Sequence, residues 1–200
     1  MKNLIFLILV IATLSCKAQS PIISMVDYEN NDDIELTENC YLKDVENKFQ
    51  PYIGTWYWSQ GNSNFTIVFE KIEMAYSIHS QTYSDYLVGK YKYVQDGVEI
   101  VNTLNVIVDA SNLLKNSRYI IDGSDYTEDT FQYLDFFDQA KNKSCNASIE
   151  LTEYLDDLQG NISATKAQWK LSDKERTIIN GENQTPIGFS VPTDIELTKQ

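Results

Sequence analysis

The sequence is poor in the residues that most catalytic and metal chemistries require. It has one histidine, His79, and three cysteines among 200 residues. A zinc site needs several imidazoles or thiolates at close spacing, and a Ser-His-Asp triad would depend on His79 alone. No glycine-rich phosphate loop, dinucleotide fingerprint or nucleophile elbow is present. The sequence therefore predicts a protein that is not an enzyme and that holds no metal or cofactor.

Positive charge is also scarce, because 29 acidic residues outnumber 16 lysines and arginines. The formal net charge is −13, and no basic cluster offsets it. Such a surface repels phosphate backbones, so we expect no nucleic-acid binding. The acidic segment 122–129 lacks the spacing of an EF-hand, and we interpret it as a turn with solvated carboxylates.

An apolar run stands at the N-terminus, where Lys2 precedes the eleven residues from Leu4 to Leu14. At about 1.5 Å per residue this run is too short for a bilayer core of roughly 30 Å. A positive charge, a short apolar core and small residues after it are typical of an export signal. We therefore expect residues 1–18 to be a signal peptide and the protein to be exported.

Two processing routes are open at the end of this signal. Ser15-Cys16 resembles the lipobox of bacterial lipoproteins, in which cleavage precedes a cysteine that is then acylated. An aspartate directly after the cysteine would resemble a signal for retention in the inner membrane, but Lys17 stands there. The lipidated form is therefore expected in the outer membrane, held only through its lipid anchor. Cleavage after Ala18 would instead release a periplasmic or secreted protein. We favour lipidation of Cys16.

Either route leaves Cys40 and Cys145 as the two thiols available to pair in an oxidising compartment. A disulfide between them would close a loop of roughly 105 residues. By lowering the entropy of the unfolded chain, it would raise the free energy of unfolding by about 4–5 kcal/mol. The alternative is a pair of buried free thiols. The sequence leaves both open, because it gives no distance between the two Cα atoms.

Alternation of apolar and polar side chains predicts strands through most of residues 49–200. Phe65, Ile67 and Phe69 share one face of a strand, with Thr66 on the other. Roughly eight to ten such strands, without repeated β-α alternation, predict one all-β domain. We expect an antiparallel barrel, with a β-sandwich as the alternative.

Two other segments carry a structural expectation. Asp96-Gly97 lies between two alternating stretches and predicts a hairpin with a type I′ turn. Residues 105–118 fit either a short helix or a long loop. Residues 19–48 are expected to be a tether and an irregular lead-in.

Gly54-Thr55-Trp56 on the first predicted strand of the barrel is similar to the Gly-x-Trp opening of lipocalins and fatty-acid-binding proteins, the calycins. This resemblance implies a lipocalin-like, up-and-down barrel in which the tryptophan closes one end and the cavity binds small apolar ligands. In that superfamily an arginine near the last strands usually covers the tryptophan. The arginines of this chain, at positions 118 and 176, do not match that placement.

Longer segments resemble an uncharacterised family of small exported bacterial proteins. They are Pro51–Trp56 (PYIGTW), Asp85–Tyr93 (DYLVGKYKY), Asp96–Leu104 (DGVEIVNTL) and Leu197–Gln200 (LTKQ). Because that family has no known function, the resemblance implies export and a β-rich fold, and it transfers no activity.

Aromatic side chains on the predicted strands form the candidate binding set. Alternation places Trp56 and Trp58 on one side of their strand and Tyr57 on the other. The candidate ligand-binding residues are Trp56, Trp58, Phe65, Phe69, Tyr91, Tyr93 and Trp169. The alternative is that they fill the core, as large aromatic side chains commonly do.

Two functions remain open at this point. The first is a non-enzymatic envelope protein that binds a small apolar or amphipathic ligand in its barrel. The second is a structural or interaction lipoprotein with a filled barrel, whose outer surface contacts another envelope protein. A lumen of several hundred Å³ would favour the first, and a lumen filled by side chains would favour the second.

Overall fold

The computed structural model describes residues 21–124, 130–156, 162–174, 178–179, 182–183 and 185–200. The predicted signal peptide with Cys16, and residues 125–129 of the acidic segment, lie outside these ranges. The described strands are β1 (Ile22–Ser24), β2 (Tyr41–Lys43), β3 (Gly54–Gln60), β4 (Ser63–Ser77), β5 (Thr82–Gln95), β6 (Val98–Asn102), β7 (Ile121–Gly123), β8 (Thr130–Asp138), β9 (Lys143–Asp156), β10 (Ile162–Asp173), β11 (Ile178–Ile179), β12 (Glu182–Asn183) and β13 (Asp194–Lys199). They are accompanied by one short α-helix, α1 (Met25–Asn30), and a 3₁₀ turn (Leu113–Lys115).

Eight of these strands close an antiparallel barrel, as the alternation predicted. The order around the barrel is β3-β4-β5-β7-β8-β9-β10-β13, and β13 returns to pair with β3. This order follows the chain, so the barrel is up-and-down, and the sandwich alternative is wrong. We name the end at which β3 begins the lower end, and the end at which β3 finishes the upper end.

The hairpin predicted at Asp96-Gly97 is present between β5 and β6. Both turn residues have positive φ, 51° at Asp96 and 83° at Gly97, as a type I′ turn requires. Residues 105–118 form a loop containing the 3₁₀ turn rather than a helix. Leu113 of this loop packs with Val88 on the outer face of β5.

One edge of β5 meets three short strands in succession. β2 pairs near its start, β7 at Leu87–Gly89 and β6 near its end. The barrel is therefore closed between β5 and β8 by only the three residues of β7. Glycine permits the close approach here, because a Cβ on Gly89 would lie 2.7 Å from Phe69 Cε1 and 3.2 Å from Ile121 Cβ.

Residues 21–48, expected to be irregular, contain β1, α1 and β2. β1 pairs in parallel with β2, and β2 pairs in parallel with the start of β5. Ser24 begins α1 as its N-cap, accepting a hydrogen bond from the backbone N–H of Asp27 at 3.2 Å, which satisfies one of the free donors of the first turn. The lead-in thus extends the sheet at the lower end of the barrel.

A buried ionic network attaches this lead-in to the barrel. Lys71 Nζ lies 3.2 Å from Asp44 Oδ2 and 3.1 Å from Asp85 Oδ2. The Tyr41 hydroxyl donates to Asp85 at 2.5 Å, and the backbone N–H groups of Asp44 and Met74 also donate to Asp85. Burial and the hydrogen bond to Asp85 raise the pKa of Tyr41. The network joins the lead-in to the barrel, and loss of any one partner would leave a buried charge uncompensated.

We predict that Gly89→Ala lowers the free energy of unfolding by about 1–3 kcal/mol, the usual cost of overpacking a filled core. The cause is the contact between the new Cβ and the Phe69 ring. Urea unfolding followed by circular dichroism measures the change.

A double-mutant cycle with Phe69→Leu isolates this contact. Leucine removes the ring edge that meets the new Cβ, so the double variant should be more stable than the sum of the two single changes predicts. Strictly additive effects would contradict the explanation.

Candidate functional site

Aromatic side chains fill the interior of the barrel. Trp56, Phe65, Phe69, Tyr91 and Trp169 are all at most 1% exposed. The ring centroids of Phe65 and Trp169 lie 5.9 Å apart, and those of Phe65 and Tyr91 lie 6.2 Å apart. These are the distances of aromatic side chains that pack in a core. The structure therefore places these candidate binding residues in the core, away from solvent.

Trp56 closes the lower end of the barrel. Its indole N–H donates to the Tyr52 carbonyl at 2.7 Å, and Lys199 Nζ lies 5.4 Å from its ring centroid. Lys199 also donates to the Pro51 carbonyl at 2.7 Å, and burial lowers its pKa. The cation over the tryptophan is therefore a lysine on the last strand, opposite Trp56 in the sheet register. The resemblance to calycins pointed only to an arginine at this position and therefore did not predict Lys199.

Trp58 and Tyr93, the other two candidate binding residues, lie at the upper end. They line an open cleft of about 550 Å³, which we name the mouth cleft. Its lining consists of Trp58, Gln60, Tyr93, Gln95, Ile100, Lys141 and residues 189–195. Its floor rests on the core, since the ring centroids of Tyr93 and Phe65 are 6.1 Å apart. The volume lies within the range of small-molecule sites.

Residues 189–195 form one wall of the mouth cleft, and buried polar contacts fix this wall to the barrel. Asp138 accepts hydrogen bonds from Ser190, at 2.6 Å from its backbone N–H and at 2.5 Å from its hydroxyl. The Trp169 indole N–H donates to the Pro192 carbonyl at 3.2 Å. Because Asp138 and Trp169 belong to the barrel, the wall is held by the core beneath it.

Lys143 supports the same wall from inside the barrel. Its ammonium group pairs with Asp173 at 2.6 Å and donates to the Pro186 carbonyl at 3.1 Å. It also lies 4.0 Å from the ring centroid of Phe189, within the range of a cation–π contact. Lys143 is not among the site residues predicted from the sequence, although its parity with Ala147 on β9 marks an inward position.

Cys40 and Cys145 are buried free thiols, so the disulfide that the sequence left open is not formed. The strand pairings place the two cysteines at different heights along β5. Cys145 pairs with Phe136, Phe136 with Ile121, and Ile121 with Gly89 of β5. The Cys40 carbonyl instead accepts a hydrogen bond from the backbone N–H of Tyr83, near the start of β5. Gly89 and Tyr83 are separated by about 20 Å along β5 at ~3.3 Å per residue, well beyond the ~7 Å limit for Cα atoms joined by a disulfide. Burial raises the pKa of the Cys145 thiol to about 11.

Asp122 on β7 is buried, so the prediction that this carboxylate is solvated is wrong. Its exposed fraction is 6%, and its Oδ1 atom has no hydrogen-bond partner among the residues that the structure describes. It stands opposite Asp135 on β8, which forms an ion pair with Lys174. Burial and the charge of Asp135 raise the pKa of Asp122 to about 7, against the opposing effect of Lys174.

Two further observations concern the described residues only. No group of three or more histidine, cysteine, aspartate or glutamate side chains in this part of the chain is arranged to hold a metal ion, and His79 is exposed. Within the same residues, no helix combines the length and the apolar character needed to cross a membrane.

Fold and site together define a closed, eight-stranded antiparallel barrel with an aromatic interior and an open cleft at its upper end. Residues 1–200 match the family of unknown function DUF6705, and the chain belongs to that family. The resemblance to an uncharacterised family is thereby confirmed. No curated protein and no solved structure matches the chain.

We predict that Asp122→Asn stabilises the protein at pH 8 and has little effect near pH 4. A folded-state pKa raised from 3.8 to about 7 means that the fold favours the neutral acid. The stability linked to this proton is complete below pH 4 and is lost as the pH rises through 7. The shift corresponds to roughly 4 kcal/mol at most, and asparagine removes the penalty of ionisation.

Urea unfolding at a series of pH values measures this difference between variant and wild type. Asp32→Asn, at an exposed position, is the control for the change in net charge. An Asp122→Asn effect that is equal at pH 4 and pH 8 would show that ionisation of this carboxyl is not the cause.

Proposed function

We propose that the protein is a non-enzymatic exported barrel that binds a small apolar or amphipathic ligand in the mouth cleft. The mouth cleft itself carries the proposal. It combines about 550 Å³ of space with a mixed lining of apolar and polar side chains. Ligand sites in proteins typically have this size and this mixture of side chains.

The proposed ligand lies above the barrel rather than inside it. Trp56, Phe65 and Trp169 occupy the interior, and an eight-stranded barrel is just wide enough for side chains to fill. Above this floor the chain presents Trp58 and Phe189, which line the mouth cleft from two different elements. An aromatic or aliphatic ligand packed against these two side chains would bury apolar surface that is now in contact with water.

The rim of the mouth cleft suits a ligand with polar substituents. Gln60 and Gln95 each offer amide donors and an acceptor, and Lys141 contributes a cation beside them. Gln60 and Gln95 end β3 and β5, and Lys141 lies between β8 and β9. The mouth cleft therefore offers polar groups from three hairpins beside the apolar side chains of Trp58 and Phe189. Preorganisation of the wall by Asp138 and Lys143 reduces the entropy that binding would otherwise cost.

Export and lipidation of Cys16 are proposed from the N-terminal segment alone: Lys2, the apolar run from Leu4 to Leu14, and the Ser15-Cys16 pair. The filled barrel interior favours a second candidate function. In that alternative the protein is a structural or interaction lipoprotein, without a ligand, that contacts another envelope protein.

We predict that the protein binds N-phenyl-1-naphthylamine, an uncharged aromatic probe, with saturation and a rise in probe fluorescence. Trp58→Ala removes one apolar wall and should weaken binding by about tenfold, equivalent to about 1.4 kcal/mol. A fluorescence titration at constant ionic strength measures both affinities.

Tyr119→Ala is the matched control, because Tyr119 is an exposed aromatic residue outside the mouth cleft. Equal affinities of wild type and Trp58→Ala would contradict binding in the mouth cleft. Native mass spectrometry of protein purified from its own host separates the two candidate functions. A stoichiometric added mass supports the binder, and a bare protein mass supports the interaction lipoprotein. The mass of the mature N-terminus tests acylation, since a free start at Gln19 excludes it.

A further inference from the structure

A second concavity lies on the outer wall of the barrel, across β8, β9 and β10, and it is separate from the mouth cleft. Its volume is about 450 Å³, and we name it the outer groove. It is lined by Thr130, Gln132 and Tyr133 of β8, Ser148 and Glu150 of β9, and Gln168 and Lys170 of β10.

A β-bulge in β8 produces the outer groove. The pairing of β8 with β9 shifts between Phe131 and Leu134, and both of these side chains are fully buried in the core. The two residues between them, Gln132 and Tyr133, are therefore both turned to the outer face, where a regular strand would present one. The small Ser148 on the neighbouring strand leaves space beside them. Bulges often re-aim side chains in this way at functional sites.

Most polar groups of the outer groove are not used within the fold; the exception is Gln168, whose amide donates to Asp194 at 2.5 Å. Elsewhere on the outer wall, charged side chains pair across strands, as Lys90 does with Glu70 at 2.8 Å. Among the residues that the structure describes, Glu150 and Lys170 form no ion pair. The side chains of Thr130, Gln132 and Ser148 likewise make no hydrogen bond there. Their donors and acceptors are free for a ligand.

The chemistry of these groups selects a neutral, hydroxyl-rich ligand. One carboxylate and one ammonium leave the outer groove close to neutral, and the overall charge of −13 disfavours anions. Amide and hydroxyl groups both donate and accept hydrogen bonds, as the hydroxyls of a sugar do. Tyr133 is 62% exposed, and its ring offers an apolar surface to the C–H face of a sugar ring.

We propose that the outer groove binds a neutral saccharide. One sugar ring packs on Tyr133, and its hydroxyl groups form hydrogen bonds with Gln132, Glu150 and Lys170. Because the outer groove and the mouth cleft share no lining residue, this binding does not depend on the ligand proposed for the mouth cleft.

The test is an NMR titration of ¹⁵N-labelled protein with three neutral oligosaccharides: maltotetraose, cellotetraose and chitotetraose. We expect at least one of them to produce saturable shifts of backbone amides in β8, β9 and β10, with a dissociation constant of roughly 1 mM. Tyr133→Ala should weaken this binding by about tenfold, equivalent to about 1.4 kcal/mol.

Two further variants make the result specific. Gln132→Ala should also weaken binding, since it removes a hydrogen-bonding partner without touching the ring. Tyr154→Ala is the control, because it removes an exposed tyrosine that lies on β9, outside the outer groove. It should leave the affinity unchanged.

The proposal is overturned if none of the three saccharides gives saturable shifts, or if the shifts map to the mouth cleft. It is also overturned if Tyr133→Ala and Tyr154→Ala bind equally well. Saturation of the same amides by a neutral Gly-Ser peptide, with no response to the saccharides, would assign the outer groove to a protein partner instead.

Discussion

The rest of the structure depends on aromatic side chains packed inside the barrel. Full burial of a phenylalanine contributes about 1.5–3 kcal/mol, and Trp56, Phe65 and Trp169 all lie in one connected core. This packing leaves no room for a Cβ at Gly89, where Phe69 and the closing strand meet. It also decides where a ligand can bind. Since the interior is occupied, binding sites must be built on the barrel, either at its open end or on its outer wall.

Two buried lysines, Lys71 and Lys143, lie near opposite ends of the barrel, and each is paired with a carboxylate. Lys71 is held by two aspartates at the lower end, while Lys143 is held by Asp173 at the upper end. A buried charge without a partner would cost several kcal/mol, so these positions are tolerable because neighbouring segments supply carboxylates. At the lower end one of the two partners, Asp44, comes from the lead-in, and at the upper end Lys143 holds the wall of the mouth cleft. The need to pair a buried charge therefore attaches the lead-in at the lower end and fixes the wall of the mouth cleft at the upper end.

Local alternation predicted the strands, the shared side of Trp56 and Trp58, and the Asp96-Gly97 hairpin, because each of these is set by residues close in sequence. β1 and β2 were not predicted, since three-residue strands show no alternation and exist only by pairing with β5. The burial of Asp122 was also missed, because its place in the sheet shows only that it faces outward. Whether an outward position is solvated depends on distant segments, and here the loop before β7 packs on the neighbouring Val88. Long-range contacts likewise decided the positions of Lys199 and of the two buried thiols.

The position of the lead-in gives the barrel a direction. β1 follows the N-terminal segment and joins the sheet at the lower end, through β2 and the start of β5. The ionic network of Lys71 and Asp44 fixes this attachment, so the chain leaves the barrel at the end opposite the mouth cleft. If Cys16 carries a lipid anchor, as we propose, only a few residues separate the anchor from β1. Under that proposal we expect the mouth cleft to open away from the membrane surface, so that a small ligand would reach it without passing between the barrel and the lipid.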